Sequence, residues 1–423
     1  MHTEKIIYRG KVFIATAISV ALMSCTDSKP KATTGMINGF NKGSYGYDKN
    51  FLAKARIETI ELSDSSSGGR ILIVPSMQGR VMTSSCMGDD GAGYGWINHK
   101  FIESRTVNPQ FNPYGGEERL WLGPEGGPFS VYFKQNAEQV FPNWKVPKEI
   151  DTEKFIIISK SKEYAEFTSS FSIVNASGTV FHIKINRSLK MLGKAAIEDS
   201  FGTNLGNSLK FVAYESVNTL QNTGNQKWDR NSGALSIWML SMFNPSENGI
   251  VFIPFKSGND ELYGKIVTDD YFGKVPHDRL IVDTSAIFFK TDGKLRSKIG
   301  VSAERSRSFT AGYDPDTKTL TILWYQAPEK HSGYVNSVWG KQEDPFKGDA
   351  INSYNDGPVE DGSVMGPFYE IESSSPAAFL APDEKICHTQ RIFHLTGSEQ
   401  DLDEITSKLF GLSLNKITSV FKK

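Results

Sequence analysis

Residues 181–186 read Phe181-His182-Ile183-Lys184-Ile185-Asn186, apolar and polar in strict alternation. Successive side chains of a strand point to opposite faces, so Phe181, Ile183 and Ile185 are expected on one buried face of a β-strand. Similar short runs occupy residues 70–74, 130–133, 155–159, 251–255, 286–290 and 320–325. Clusters of Gly, Asp, Asn, Ser and Pro separate them at 65–69, 89–91, 222–224, 291–293 and 314–316, the chemistry that turns require. The clear helical pattern is C-terminal: Ser398 as cap, Asp401 three residues on, Leu402, Ile405 and Leu409 on one face, and Gly411 as stop. A second amphipathic turn spans 414–421. No repeat or Pro/Ser-rich linker interrupts 50–395. The pattern predicts an all-β fold, one large two-sheet domain over 50–396 with a short C-terminal helical segment at 397–423. Two β-domains meeting near 256–275 are the alternative.

Composition agrees. The 423 residues carry 47 Lys+Arg against 48 Asp+Glu, a net charge of −1; a dedicated nucleic-acid binder would carry a basic excess. The 27 Phe and 15 Tyr suit strands, and 39% apolar residues suffice for a core. Three cysteines are too few for a disulfide scaffold or a four-thiolate zinc site. Residues 1–24 have the form of a signal peptide: Lys5, Arg9 and Lys11, then a twelve-residue apolar run at 12–23. It ends in Leu22-Met23-Ser24-Cys25, which resembles a bacterial lipobox and implies acylation of Cys25; a plain secretory signal is the other reading. Residues 25–49 read as a flexible tether. These features predict a lipid-anchored monomer of the bacterial cell envelope, attached to the outer membrane and facing periplasm or exterior. Cys86 and Cys387 are expected free or buried, with pairing the alternative.

Residues 112–127 read NPYGGEERLWLGPEGG. Glu117, Glu118, Arg119, Trp121 and Glu125 lie among five glycines. Carboxylates and Arg bond hydroxyls, and an indole covers the apolar face of a sugar. The acidic neighbours and the missing Lys-Ser/Thr argue against phosphate. A tight structural loop with an internal Arg–Glu pair is equally compatible. Tyr369-Glu370-Ile371-Glu372 has strand character, which puts Glu370 and Glu372 on one face. That pair is either solvated or set around a ligand with one pKa raised. His99, beside Asn98, and His388 lie near candidate loops; His182 falls on the polar face of its strand. No HExxH, close His pair or GxSxG is present, so no transition metal or cofactor is expected. Ca²⁺ stays open as an alternative without sequence support, since oxygen ligands follow no fixed spacing outside known loops.

Three stretches, RILIVPSMQGRVMTS at 70–84, the glycine-rich 115–127 and FYEIESSSPAAFLAPDEKICHTQRIFHL at 368–395, together resemble the galactose-mutarotase-like (aldose 1-epimerase-like) proteins. They look most like a lipoprotein family of Bacteroidota on that fold. The resemblance implies a β-supersandwich whose concave sheet binds sugars, and a Glu base in a late strand before a Pro. Glu372, before Pro376, matches that place. The family's acid is a His within an apolar stretch ending in Phe. Here 236–243 reads SIWMLSMF, with Trp238 and no histidine, so the scaffold is kept while the epimerase acid is absent.

The expected function is carbohydrate binding, with processing if Glu372 or Glu370 acts as base. Arg119, Trp121, Glu117, Glu125, Asn98 and Trp238 form the expected substrate-binding set, and Glu117, Glu125 or His99 is the expected acid. A non-catalytic structural or partner-binding envelope lipoprotein is the alternative.

Overall fold

In the computed structural model, which describes residues 35–326, 333–359 and 361–422, the alternating stretch lies inside the strand Val180–Met191. Phe181, Ile183 and Ile185 are buried as expected. This strand belongs to a ten-stranded sheet in the spatial order Leu280–Val282, Ala286–Lys290, Ile250–Pro254, Phe309–Asp314, Thr319–Tyr325, Lys385–Thr396, Lys210–Asn222, Val180–Met191, Tyr164–Val174, Ile156–Lys160. Every neighbouring pair runs antiparallel.

A second sheet has five strands: β1 (Arg119–Gly123), β2 (Ser236–Phe243), β3 (Ser297–Ser302), β4 (Asp349–Asn355) and β5 (Tyr369–Ser374). Their spatial order is β3-β4-β5-β2-β1. A three-stranded sheet (Ile60–Ser63, Arg70–Val74, Arg80–Ser85) joins the approach to β1 through a bridge between Val81 and Glu118. The large sheets face each other across one core: Ile237, Met239, Ile299, Ile351 and Ile371 meet Ile183, Ile185, Val212, Leu220 and Ile392. The opposite face of the ten-stranded sheet carries Phe211, Ala213, Phe393 and Leu395, covered by helices Lys194–Phe201, Glu399–Phe410 and Leu414–Ser419. The predicted all-β two-sheet supersandwich with C-terminal helices is therefore the fold observed. The chain from Met36 onward is one compact unit, without a boundary at 256–275.

The C-terminal helix has the predicted ends: Ser398 accepts from the Asp401 amide, and Gly411 closes it at φ 67°. Two local expectations change. Residues 130–133 form no strand; Tyr132 and Phe133 are buried by packing in the main core, and the Tyr132 hydroxyl donates to the Leu122 carbonyl at 2.9 Å. Regular structure is also present before residue 50. Met36–Ile37 pairs with Phe40–Asn41, and helix Tyr45–Lys54, capped by Ser44, follows. Phe51 and Leu52 anchor that helix on Leu72, Val74 and Met82. Residues 1–34, including Cys25, lie outside the described residues. Cys86 is buried, Cys387 exposed, and both are free thiols.

Between the sheets runs a polar network. Arg187, on the same inward face as Ile183 and Ile185, pairs with Glu118 at 2.7 Å with both side chains 0% exposed. Its guanidinium also donates to Asn218 Oδ1 at 2.8 Å and the Gly79 carbonyl at 3.1 Å. Glu118 accepts from Ser216 and Gln390, each at 3.1 Å. Removing one member of such a pair strands the other charge in low dielectric. Arg187→Ala should lower unfolding stability by about 3–5 kcal/mol, while Lys154→Ala, which breaks an exposed pair with Glu58, should cost under about 1 kcal/mol. Urea denaturation of both variants checks this; equal effects would refute it.

Candidate functional site

Antiparallel register decides which side chains share the outer face of the five-stranded sheet. Directly opposed residues lie on the same face. Glu370 and Glu372 of β5 oppose Met242 and Leu240 of β2 on one side, and Tyr354 and Asn352 of β4 on the other. Leu240 opposes Arg119, and Trp238 opposes Trp121. Lys298 of β3 opposes Tyr354. The odd-numbered residues of β5 turn inward, where Ile371 joins the core and Ser373 meets His388 Nε2 at 2.8 Å. Arg119, Trp121, Trp238, Lys298, Glu370 and Glu372 thus share the sheet face opposite to that of Ile371.

Their contacts are tight. Glu372 Oε2 accepts from Trp238 Nε1 at 2.9 Å and from Lys298 Nζ at 2.8 Å, while its Oε1 has no partner. Arg119 Nη2 donates to Glu370 Oε1 at 2.9 Å; its Nε and Nη1 have none. The guanidinium lies 4.4 Å from the centre of the Trp121 ring, a cation–π contact. Trp121 and Trp238 meet edge to face at 5.7 Å, and Phe111, Tyr132 and Trp144 surround Trp121. The face is nearly closed: Glu372 is 1% exposed, and Glu370 and Arg119 are 5%.

Burial dominates the electrostatics. It raises the Glu370 carboxyl to about 7; Arg119 opposes the shift and Glu372 adds to it. Burial works against the Lys298 ammonium, but Glu372 and Glu125 outweigh it and its pKa is raised, so the cation is secure. Glu125, partly exposed in the loop after β1, is also raised, by burial first; Lys298 and Glu372 are both near enough to act on it.

The structure gathers Glu370, Glu372, Arg119, Trp121 and Trp238 on this face, with Glu125 beside them. It separates the rest. Glu117 turns into the inter-sheet core, where its Oε1 accepts from Ser84 at 2.8 Å and from Tyr214 at 3.1 Å and meets His394 Nε2 at 3.1 Å. It is 0% exposed, so the expected roles in binding sugar or donating a proton do not fit its position. Asn98 caps helix His99–Ser104 through the Phe101 amide. His99 pairs with Asp48 at 2.7 Å and packs on Phe51. None of the contacts described for Asn98 or His99 reaches Glu370 or Glu372. His388 faces the core, and burial lowers its pKa to about 4. Lys298 was not anticipated. In Ser297-Lys298-Ile299-Gly300-Val301 the inward Ile299 and Val301 put Lys298 on the outer face, a signal that period-2 reading could have used. Among the described residues, no group of three or more His, Cys, Asp or Glu side chains is placed to hold a metal ion.

Fold and face together define a two-sheet β-sandwich with a carboxylate pair and indole rings on one sheet. The chain belongs to the Family of unknown function (DUF6786), whose model matches residues 43–421. No curated protein matches it. Among solved structures it is similar to the Slr1438 protein from Synechocystis sp. PCC 6803, at 13% identity over 81% of this chain and 97% of that one, with a TM-score of 0.47. It is also similar to a putative aldose 1-epimerase from Escherichia coli K12, at 10% identity over 81% and 100% of the two chains, TM-score 0.46. A galactose mutarotase-like protein from Lactobacillus casei ATCC 334 matches at 10% identity over 80% and 100%, TM-score 0.43.

A carboxyl whose pKa rises on folding stabilises the fold below its ordinary pKa and loses that contribution as pH climbs through the folded value. Relative to Glu370→Gln, the wild-type protein should therefore lose stability between pH 4.5 and about 7 and change little above. Urea midpoints of both proteins at pH 5 and pH 8 measure this; a constant difference would contradict the raised pKa.

Proposed function

We propose that the protein is a lipid-anchored carbohydrate-binding protein of a bacterial cell envelope, and that the outer face of the five-stranded sheet takes the sugar and exchanges protons with it. The observation that carries the reading is the carboxyl pair Glu370 and Glu372 on one sheet face, bracketed by Arg119 and Lys298 and set against two indole rings. Indoles cover the apolar face of a pyranose, and charged side chains bond its hydroxyls. Glu372 is the base, through the unpartnered Oε1. Glu370, which burial holds toward its neutral form, is the acid, a role for which 236–243 offers no histidine. Two carboxyls in unlike environments divide such roles. Arg119 and Trp121 orient the sugar. The lipid anchor rests on Cys25 in its lipobox-like context.

One observation favours a second reading, a non-catalytic structural or partner-binding protein: the carboxyl pair is almost closed off, with Glu372 1% exposed. A ligand screen separates the two. Thermal unfolding against neutral and acidic mono- and oligosaccharides should give at least one hit. A ligand at 100 times its dissociation constant adds about 2.7 kcal/mol, a rise of roughly 1–3 °C for a domain this large. Glu372→Gln should abolish turnover of that ligand while retaining most of the binding. A blank across the panel would sink the carbohydrate reading, and turnover surviving in the variant would remove Glu372 as base.

A further inference from the structure

The buried polar atoms without partners at the Arg119 end of this face are mostly donors: Arg119 Nε and Nη1, Trp121 Nε1 and Trp144 Nε1, with the hydroxyl of Ser236 and one acceptor, Asp151 Oδ1, whose carboxyl lies within electrostatic reach of Arg119. The Arg119 guanidinium lies over the Trp121 ring, and Trp121 and Trp144 are 6.3 Å apart between ring centres. An indole N–H and a guanidinium can only donate. At the other end of the face the unpartnered atom is an acceptor, Glu372 Oε1. A buried donor left without an acceptor costs free energy, so a cluster of them calls for an occupant.

We propose that the Arg119 end of the face receives the carboxylate of an acidic sugar, a uronate, whose ring hydroxyl donates to Glu372 Oε1. The inference rests on the carbohydrate reading above and names its substrate class. A hydroxyl set among these donors brings one oxygen and a hydrogen that needs an acceptor of its own. A carboxylate brings two oxygens that only accept, one for a free guanidinium nitrogen and one for a neighbouring indole N–H. The charges allow it. Arg119 spends one of its nitrogens on Glu370, Lys298 neutralises Glu372, and Glu117 and Glu118 are turned into the core on the far side of the sheet. The other carboxyls near this face are Glu370, Asp151 and Glu125, and burial, which favours the neutral form of each, removes much of the remaining repulsion.

Calorimetric titration of the full chain tests this with glucuronate and galacturonate, free and as short oligosaccharides. Each is run beside its neutral hexose counterpart, its methyl ester and the 6-sulfated hexose. The expected result is a uronate that binds at least about tenfold more tightly than its ester and its neutral counterpart, the scale of a charge-assisted hydrogen bond. Arg119→Met should erase that preference. The ester comparison needs no variant, so it stands even if Arg119→Met fails to fold. A neutral or sulfated sugar preferred over the uronate would overturn the carboxylate inference and leave carbohydrate binding intact. Binding of none of them would overturn both.

Discussion

The two-residue alternation of the central strand β5 is the constraint on which both halves of the molecule depend. Ile371 and Ser373 must face the opposing sheet, where Ile371 enters the main core and Ser373 bonds His388 and Gln390. Glu370 and Glu372 are then committed to the other face. A slip of one residue would drive two carboxyls into the apolar core and turn Ile371 outward. The neighbours β2 and β4 hold the register, since each opposes β5 along its length. Core packing therefore fixes where the carboxyl pair stands, and the pair needs no loop to position it. Groups carried on sheet strands are held more rigidly than groups carried on loops.

The inter-sheet core holds buried charges beside its apolar side chains. Glu117, Glu118 and Arg119 are consecutive, all charged and all buried, yet they serve different surroundings. Glu117 is bonded by Ser84 and Tyr214. Glu118 neutralises Arg187 from the ten-stranded sheet. Arg119, one residue further, opens β1 on the outer face and pairs with Glu370. Each charge meets a partner from a distant part of the chain, so misplacing any of the three residues would leave a bare charge in low dielectric.

Much of this was legible in the sequence, and the limits have physical causes. Period-2 alternation gave the face of 181–186 and the shared face of Glu370 and Glu372, because a strand's geometry is local. Caps gave the C-terminal helix for the same reason. The glycine-rich stretch at 115–127 misled about Glu117. Composition says which chemistries lie close in sequence, but Glu117 sits at a bend before β1 begins at Arg119, so strand alternation does not carry it to the face of Arg119. His99 could not be placed from sequence: its partner Asp48 lies 51 residues away on a helix that polar composition had marked as tether. Lys298 escaped because a lysine in a short strand reads as solvated until the strands beside it are known.

The outer face has its own charge order. Lys298 holds Glu372, Arg119 holds Glu370, and the two carboxyls stand side by side on one strand. Such a row is stable only if the adjacent carboxyls do not both demand a full negative charge. Burial resolves this by raising Glu370 toward neutrality, while Lys298 keeps its proton and stays bonded to Glu372. The two ends then differ. The Lys298 end is already matched, cation to carboxyl, with one oxygen to spare. The Arg119 end keeps two unmatched donors beside the indole N–H of Trp121. The face is thus unmatched in donors at one end and in an acceptor at the other.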